Sequence, residues 1–204
     1  MLVDYYKARS ILDRYKIKSI RSEYVGSADD AVGFLRENKS IVMKVLSQKA
    51  LHKSRSGLVA VGLESEADVR KTFAGLQKKA ARLKPYKMIA QRMVPRGIEI
   101  IIGGNVDPQF GRMILLGLGG VYVEAFKDFA LRVCPITRRD AASMIDQLRS
   151  KSVIAPDSRS TEMIIGLLLK ASKMFEESGL AEFDLNPVML HDGTYDAVDL
   201  RMIK

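Results

Sequence analysis

The sequence predicts an α/β or α+β protein with two lobes. Segments with apolar residues at helical spacing alternate with short apolar runs rich in β-branched residues. The chain has 204 residues, of which 47% are hydrophobic, and at about 150 residues per domain this length fits one domain or two closely joined lobes. A stretch that contains two prolines, residues 85–95, predicts a hinge. We therefore expect an N-terminal lobe of residues 1–87 and a C-terminal lobe of residues 88–204.

Capping patterns predict where the helices start. Ser27, Ser65 and Thr137 are each followed by an acidic residue three positions later, which is the spacing of a capping box. Asp4 is a further N-cap candidate, and Pro85 ends the third helix. These signals, with the apolar spacing, predict helices over residues 4–15, 27–37, 65–83, 137–148 and 160–177.

Apolar runs bounded by polar or glycine-containing segments predict the strands. The last two runs read as a hairpin, with His191-Asp-Gly193 as its turn, and we interpret His191 as an ordinary surface residue. The predicted strands cover residues 41–46, 58–63, 88–94, 98–106, 113–118, 180–190 and 195–203.

Composition restricts the partners and the setting. The net charge is +9, from 33 Lys and Arg against 24 Asp and Glu, which favours anionic partners without choosing among them. We expect no nucleic-acid binding, because only 7% of residues are aromatic and none is Trp. We expect no membrane insertion, because the apolar stretches are shorter than the roughly 18 residues of a span. One cysteine and no apolar N-terminal run predict a cytoplasmic, reducing setting.

Several common motifs are absent. No Gly-x-x-x-x-Gly-Lys-Ser/Thr string occurs, which excludes a P-loop. The cluster Gly117-Leu-Gly119-Gly120 lacks the last glycine of the dinucleotide fingerprint because Tyr122 stands there. One cysteine and two histidines are too few for a Cys/His structural zinc site.

Lys44 is the first candidate functional residue. It interrupts the apolar run Ile41–Leu46, which reads as a buried strand. An ammonium group there needs an anion, because an unpaired buried charge is costly. The anion is either a phosphate of a ligand or an internal carboxylate.

Oxygen-bearing side chains near the C-terminus form a candidate metal face. Glu182, Asp184 and Asn186 alternate along a predicted strand, so they share one side of it. Asp199, on the next strand, can approach the same face. Such oxygens, together with nucleotide phosphates, suit Mg²⁺. The alternative is the polar solvent face of a hairpin.

The segment Leu51–Gly57 combines an imidazole, two cations and two hydroxyls beside a glycine. This composition is typical of a phosphate-handling loop, which we place at residues 47–57. Histidine is also a covalent nucleophile, so His52 is a candidate phosphoryl carrier. The alternative is an exposed basic connection between two strands.

These residues occur in an order that resembles one family. Over roughly residues 9–203, the chain resembles the ATP-grasp β subunit of ADP-forming acyl-CoA (acetyl-CoA) synthetases; succinyl-CoA synthetase β chains are more distant relatives. The resemblance is carried by Val42-Met-Lys44-Val, Leu51-His-Lys-Ser54, Gln91-Arg-Met-Val-Pro95, Gly97-Ile-Glu99, Asp107-Pro-Gln-Phe-Gly111, Gly117-Leu-Gly-Gly-Val121, Glu124, Arg132-Val-Cys-Pro135, Asp184-Leu-Asn-Pro187 and Ala197-Val-Asp-Leu-Arg201.

The resemblance implies an ATP-grasp fold with ATP or ADP and Mg²⁺ bound between two lobes. Lys44 would bind phosphate, and the phosphates would point to the glycine-rich segment of Gly119 and Gly120 and to the metal face. Arg132 matches a basic position near the transferred phosphoryl group. The base and ribose would be held by Gln91, Met93 and Glu99, and the metal by Asn186 and Asp199, with Asp184 in support.

The family's reaction interconverts acyl-CoA, ADP and phosphate with free acid, CoA and ATP through phosphohistidine. No CoA-binding unit is recognisable, so the resemblance implies a ligase subunit that is active only with a CoA-binding α subunit, in an α2β2 assembly. His52 would be the second phosphoryl carrier. Two departures, Arg55 for an aspartate and Leu58 for a glycine, motivate the alternative of a non-catalytic nucleotide-sensing or assembly subunit.

Overall fold

The computed structural model describes residues 1–47, 57–120 and 128–204. They form two compact units, one of Ile20–Val94 and one that joins Met1–Ser19 to Pro95–Lys204. This division differs from the predicted boundary after residue 87. The first residues belong with the C-terminal unit because Val3 N–H donates to the Met202 carbonyl, and residues 88–92 continue a strand of the other unit.

Helices and strands are mixed along the chain, with runs of successive strands and of successive helices. The helices are α1 (Tyr5–Arg14), α2 (Ala28–Arg36), α3 (Glu66–Ala80), α4 (Arg138–Gln147), α5 (Lys151–Ile154) and α6 (Ser158–Glu177), with a 3₁₀ turn at Ala81–Leu83. The strands are β1 (Ser22–Tyr24), β2 (Ile41–Ser47), β3 (Val59–Leu63), β4 (Tyr86–Arg92), β5 (Ile98–Asp107), β6 (Gly111–Leu118), β7 (Phe129–Val133), β8 (Glu182–His191), β9 (Thr194–Ala197) and β10 (Leu200–Ile203).

The five predicted helices are confirmed, and their caps explain their bounds. Ser27 and Thr137 form reciprocal capping boxes with the acids three residues on, and Asp4 caps α1. The helix α6 starts two residues before the predicted position because Asp157 accepts a hydrogen bond from Ser160 N–H and caps it.

The unit of residues 20–94 contains one antiparallel sheet in the order β1-β4-β2-β3. Helices α2 and α3 pack on one face of it, and the core includes Met43, Val45 and Ala90. The strand β1 lies between α1 and Ser27, where the sequence predicts a short extended piece; its three residues are too few to show an alternating pattern.

The other unit contains a six-stranded antiparallel sheet in the order β10-β8-β5-β6-β7, with β9 also paired to β8. Phe183, Gly104 and Ile114 lie in one cross-strand row, and the Phe183 ring packs 5.1 Å from that of Phe175 in α6. This row therefore marks the face that the helices cover. We call the opposite face of this sheet the open face.

The predicted C-terminal hairpin is confirmed, with a turn in which Asp192 and Gly193 have positive φ angles. Its second strand is divided into β9 and β10, because Val198 and Asp199 interrupt the strand. Strand β7 and the short helix α5 were not predicted. In β7 the apolar residues Phe129, Leu131 and Val133 are exposed, and Ala130 and Arg132 alternate with them on the other face. The sequence of β7 therefore lacks the alternation of apolar and polar residues that predicts a half-buried strand.

Candidate functional site

Lys44 and Gln91 lie on the same face of the sheet in the unit of residues 20–94. Val42 is opposite Gln91 and Lys44 is opposite Ile89, whereas the alternate residues Met43 and Val45 belong to the core beneath α2 and α3. Lys44 is 5% exposed and Gln91 is 1% exposed. An ammonium group and an amide at diagonal buried positions on one sheet face suit the recognition of an anion and a neighbouring polar group. Met93, the next predicted residue, is exposed.

Glu99, Gly119 and Gly120 are brought together in the other unit. Gly119 N–H donates to the Glu99 carbonyl over 2.6 Å, and a Cβ at Gly119 would lie 2.8 Å from the Glu99 carbonyl carbon. Gly120 has φ +77°, and a Cβ there would lie 3.0 Å from Glu99 Oε2. Only glycines permit this close approach of backbone to strand β5. The two glycines and the carboxylate therefore form one local arrangement.

Asp128, the residue directly before β7, accepts hydrogen bonds that hold this part of the chain in place. Its carbonyl accepts a hydrogen bond from Leu118 N–H, and its carboxylate accepts one each from the N–H groups of Arg149 and Ser150, both over 2.9 Å. Burial opposes the charged form, but these hydrogen bonds outweigh it and hold the pKa of Asp128 below its ordinary value. The charged carboxylate thus ties the start of β7 to the turn before α5.

Asp184, Asn186 and Asp199 lie close together on the open face. Asp184 follows the helix-facing Phe183 and is opposite Gly103, and Asn186 N–H donates to the Asp199 carbonyl over 3.1 Å. Asp199 Oδ1 accepts a hydrogen bond from Leu200 N–H, which fixes one carboxylate oxygen. The backbone of Asp199 thus lies next to Asn186, and its role as a metal ligand stays a prediction.

The donor set of this cluster fits a magnesium ion that is held partly by a ligand. It offers carboxylate and amide oxygens, which Mg²⁺ prefers. Within residues 1–47, 57–120 and 128–204, no group of three or more His, Cys, Asp or Glu residues is placed to enclose a metal. A site with so few protein ligands suits a cation that keeps waters and phosphate oxygens in its coordination shell.

Glu99 shares the open face with this cluster. Strand β5 pairs with β6 without a register shift, so Glu99 and Gly103 point to the same side, and Gly103 is opposite Asp184. The carboxylate beside the glycines and the oxygen cluster are therefore arranged along one surface of one sheet.

Arg132 lies on the other face of this sheet. It is opposite Ile114 in β6, in the row that the helices cover. Its guanidinium donates to Ser143 Oγ over 2.8 Å and to Gln147 Oε1 over 3.1 Å, both in α4. The structure thus does not bring Arg132 together with Asp184 and Asn186. The sequence motif shows that an arginine is present at position 132. Which face of the sheet its side chain occupies follows only from the pairing register of β7.

His52 lies outside the described residues, as do Lys53, Ser54 and Arg55. The described residues that flank this stretch are held in place. Ser47 Oγ donates to the Leu83 carbonyl over 2.7 Å, and Lys79 Nζ donates to the Gly57 carbonyl over 3.2 Å. Leu58 is 2% exposed and belongs to the core of its unit. The leucine that departs from the family's glycine is therefore accommodated by packing.

The interpretation of His191 as an ordinary surface residue is wrong. Its side chain is 9% exposed, and its Nε2 lies 2.9 Å from Oδ2 of the buried Asp196. Lys18 Nζ lies 3.3 Å from the other oxygen of that carboxylate. The buried carboxylate needs partners, so it draws the histidine inward, and the turn sequence gave no sign of this.

Comparison with known proteins identifies the family to which this chain belongs. The family model described as an ATP-grasp domain matches residues 2–203. The chain belongs to the ATP-grasp family. Its fold, with mixed helices and antiparallel sheets, is the ATP-grasp fold, which confirms the predicted fold class and family resemblance.

Two similar proteins specify the relationship. The chain is 32% identical to the β subunit of acetate–CoA ligase (ADP-forming) I from Pyrococcus furiosus, over 97% of this chain and 89% of that protein. It is 34% identical to an acetyl-coenzyme A synthetase of Candidatus Korarchaeum cryptofilum in complex with coenzyme A and Ca-AMPCP, with a TM-score of 0.88 over 100% of this chain and 92% of that chain.

A second structure of the Korarchaeum synthetase contains coenzyme A and Mg-AMPPCP, with its phosphohistidine segment pointing towards the nucleotide-binding site. This structure is 33% identical, with a TM-score of 0.83 over 99% of this chain and 92% of that chain.

In the part of our chain that the structure describes, none of the helices combines the length and the hydropathy of a membrane span.

Proposed function

We propose that this chain is the nucleotide-binding β subunit of an ADP-forming acyl-CoA synthetase. The observation that carries the proposal is the open face, where Glu99 with its glycines and the Asn186–Asp199 pair lie along one sheet. The similarity to a β subunit of this enzyme class over 97% of the chain supports the same function.

The proposed roles follow from the chemistry of each position. In one unit, the buried ammonium of Lys44 binds phosphate, while Gln91 and Met93 contact the base and ribose. In the other unit, Glu99 holds the ribose. Gly119 and Gly120 leave room for the phosphates beside it, because a side chain at either position would meet Glu99.

Asn186 and Asp199 would hold Mg²⁺, supported by Asp184. The ion neutralises phosphate charge when it is bound, and phosphoryl transfer depends mainly on positioning and on such neutralisation. The structure of a similar protein with Mg-AMPPCP supports ATP or ADP with Mg²⁺ as the cofactor. Arg132 has partners in α4, so we assign it to the support of β7 rather than to the phosphoryl group.

The proposed reaction interconverts acyl-CoA, ADP and phosphate with free acid, CoA and ATP. His52 accepts the phosphoryl group and delivers it to ADP. A CoA-binding α subunit supplies the other half-reaction, in the α2β2 assembly that the resemblance implies. The naming of a relative as a β subunit supports a partner of this kind.

A non-catalytic nucleotide-sensing or assembly subunit is the second candidate, and the basic Arg55, three positions after His52 in the sequence, favours it. A nucleotide sensor would bind nucleotide without forming phosphohistidine. The two functions therefore differ in one observable product.

Phosphorylation of His52 tests the proposal. On incubation with Mg-ATP labelled at the γ-phosphate, attack of the His52 imidazole breaks the bond between the γ-phosphorus and the bridging oxygen, forms a P–N bond and releases ADP. We expect acid-labile label on the wild-type chain, loss of the label in His52→Asn, and its retention in His191→Asn, the chain's only other histidine. Nucleotide binding without any label would favour the sensing subunit.

A further inference from the structure

Arg201 is a cation on the open face that is not among the proposed metal, base or ribose ligands. Its neighbours Leu200 and Met202 are buried and lie opposite Leu185 and Phe183 on the helix-covered side. Arg201 therefore points to the open face, where it lies directly opposite Asp184. Its side chain is 50% exposed, so the guanidinium is accessible to a ligand.

The contacts of Arg201 leave its guanidinium able to move. It lies 3.6 Å from Glu182 Oε1, and both side chains of this ion pair are substantially exposed. Exposed pairs of this kind contribute little stability. Exchanging this contact for a phosphate would therefore cost little, whereas the hydrogen bonds of Arg132 to α4 would have to be broken for a similar movement.

The order of residues along β8 indicates which part of a nucleotide Arg201 would meet. Met189 is opposite Glu99, and Asp184 is opposite Arg201. Strand β8 has one extra residue here, because its register against β5 shifts between Ile100 and Ile102. On β5, the distance from Glu99 to Gly103, which is opposite Asp184, is four residues, or about 13 Å at about 3.3 Å per residue. Asn186 lies between these two ends. A nucleotide with its ribose at Glu99 and its metal-bound phosphates at Asn186 thus directs its terminal phosphate towards Arg201.

We infer that Arg201 binds the terminal phosphate of the nucleotide, with Asp184 across the ladder orienting the guanidinium. This inference rests on the proposed function, which places nucleotide on the open face. Arginine suits the role because its planar guanidinium donates two parallel hydrogen bonds to phosphate oxygens. The position beyond the metal pair predicts a stronger contact with the γ-phosphate of ATP than with ADP, and none with AMP.

Calorimetric titration of the full chain with Mg-ATP, Mg-ADP and AMP tests this inference. Arg201→Ala is expected to weaken ATP binding about tenfold or more, since the contact is a charge-assisted hydrogen bond. The loss for ADP should be smaller, and AMP binding should not change. Arg201→Lys should recover part of the ATP affinity. Arg138→Ala, which removes an exposed cation paired with Glu162 on the helices, is the matched control and should leave all three affinities unchanged.

Two outcomes would overturn the inference while leaving the proposed function intact. One is an Arg201→Ala protein that binds ATP as the wild type does. The other is an equal loss for ATP, ADP and AMP, which indicates a structural role for Arg201. If the wild-type chain binds none of the three nucleotides, the proposed function fails, and the inference fails with it.

Discussion

Replacing Gly97 by alanine is expected to destabilise the protein by about 3 kcal/mol or more, at the upper end of what overpacking usually costs. A Cβ at Gly97 would lie 2.0 Å from the Leu190 carbonyl oxygen and 2.9 Å from its carbon. Both are backbone atoms of β8, so no side chain can move aside, and the start of β5 must separate from β8. Urea denaturation of Gly97→Ala and wild type measures the difference in the free energy of unfolding.

Gly166→Ala is the matched control for that experiment. Gly166 lies inside α6 in the same unit, and a Cβ there would have no neighbour within 4 Å. Alanine is expected to stabilise the helix by about 0.5–1 kcal/mol. A Gly97→Ala protein within about 1 kcal/mol of wild type would show that the close approach of β5 and β8 has been misjudged.

Replacing Asp199 by asparagine is expected to remove most of the Mg²⁺ dependence of nucleotide binding. Asparagine keeps an oxygen that can accept the hydrogen bond from Leu200 N–H, so the substitution removes a charge and spares the local structure. Loss of an outer-shell partner of a metal costs roughly 10- to 100-fold in affinity, and we expect at least that loss for a direct ligand. Titration with ADP in the presence and absence of Mg²⁺ measures the effect.

Asp192→Asn is the control for Asp199→Asn. Asp192 is an exposed carboxylate in the β8–β9 turn with φ +47°, a conformation that asparagine tolerates. The control should bind Mg-ADP as the wild type does. Equal Mg²⁺ dependence in Asp199→Asn and wild type would contradict the metal assignment.

Local signals in the sequence were sufficient to predict most of the elements. The capping residues Ser27 and Thr137 make the predicted hydrogen bonds, because capping depends on residues only three positions apart. The Asp192-Gly193 turn is equally local. Strand β7 had no such signal, since its exposed Phe129, Leu131 and Val133 lack the polar alternation of a half-buried strand.

The site was predictable to the extent that its residues lie near one another in sequence or in a ladder. Asp184 and Asn186 share a face because they alternate on one strand. The separation of Arg132 from them depends on three successive strand pairings, and the burial of His191 depends on Asp196 and Lys18. These contacts join residues that are far apart in the sequence, so residue spacing cannot predict them. The position of Arg201 opposite Asp184 likewise follows only from the pairing of β10 with β8.

We expect this ATP-grasp chain to bind a magnesium nucleotide, with Lys44 as its phosphate ligand. The most direct test is calorimetric titration of wild type and Lys44→Met with Mg-ADP, with the exposed Lys39→Met as control. Wild type and Lys39→Met are expected to show saturable binding. A folded Lys44→Met protein is expected to bind at least tenfold more weakly, because the buried ammonium is then absent. Absence of binding by wild type, or equal affinity in Lys44→Met, would refute the proposed phosphate site.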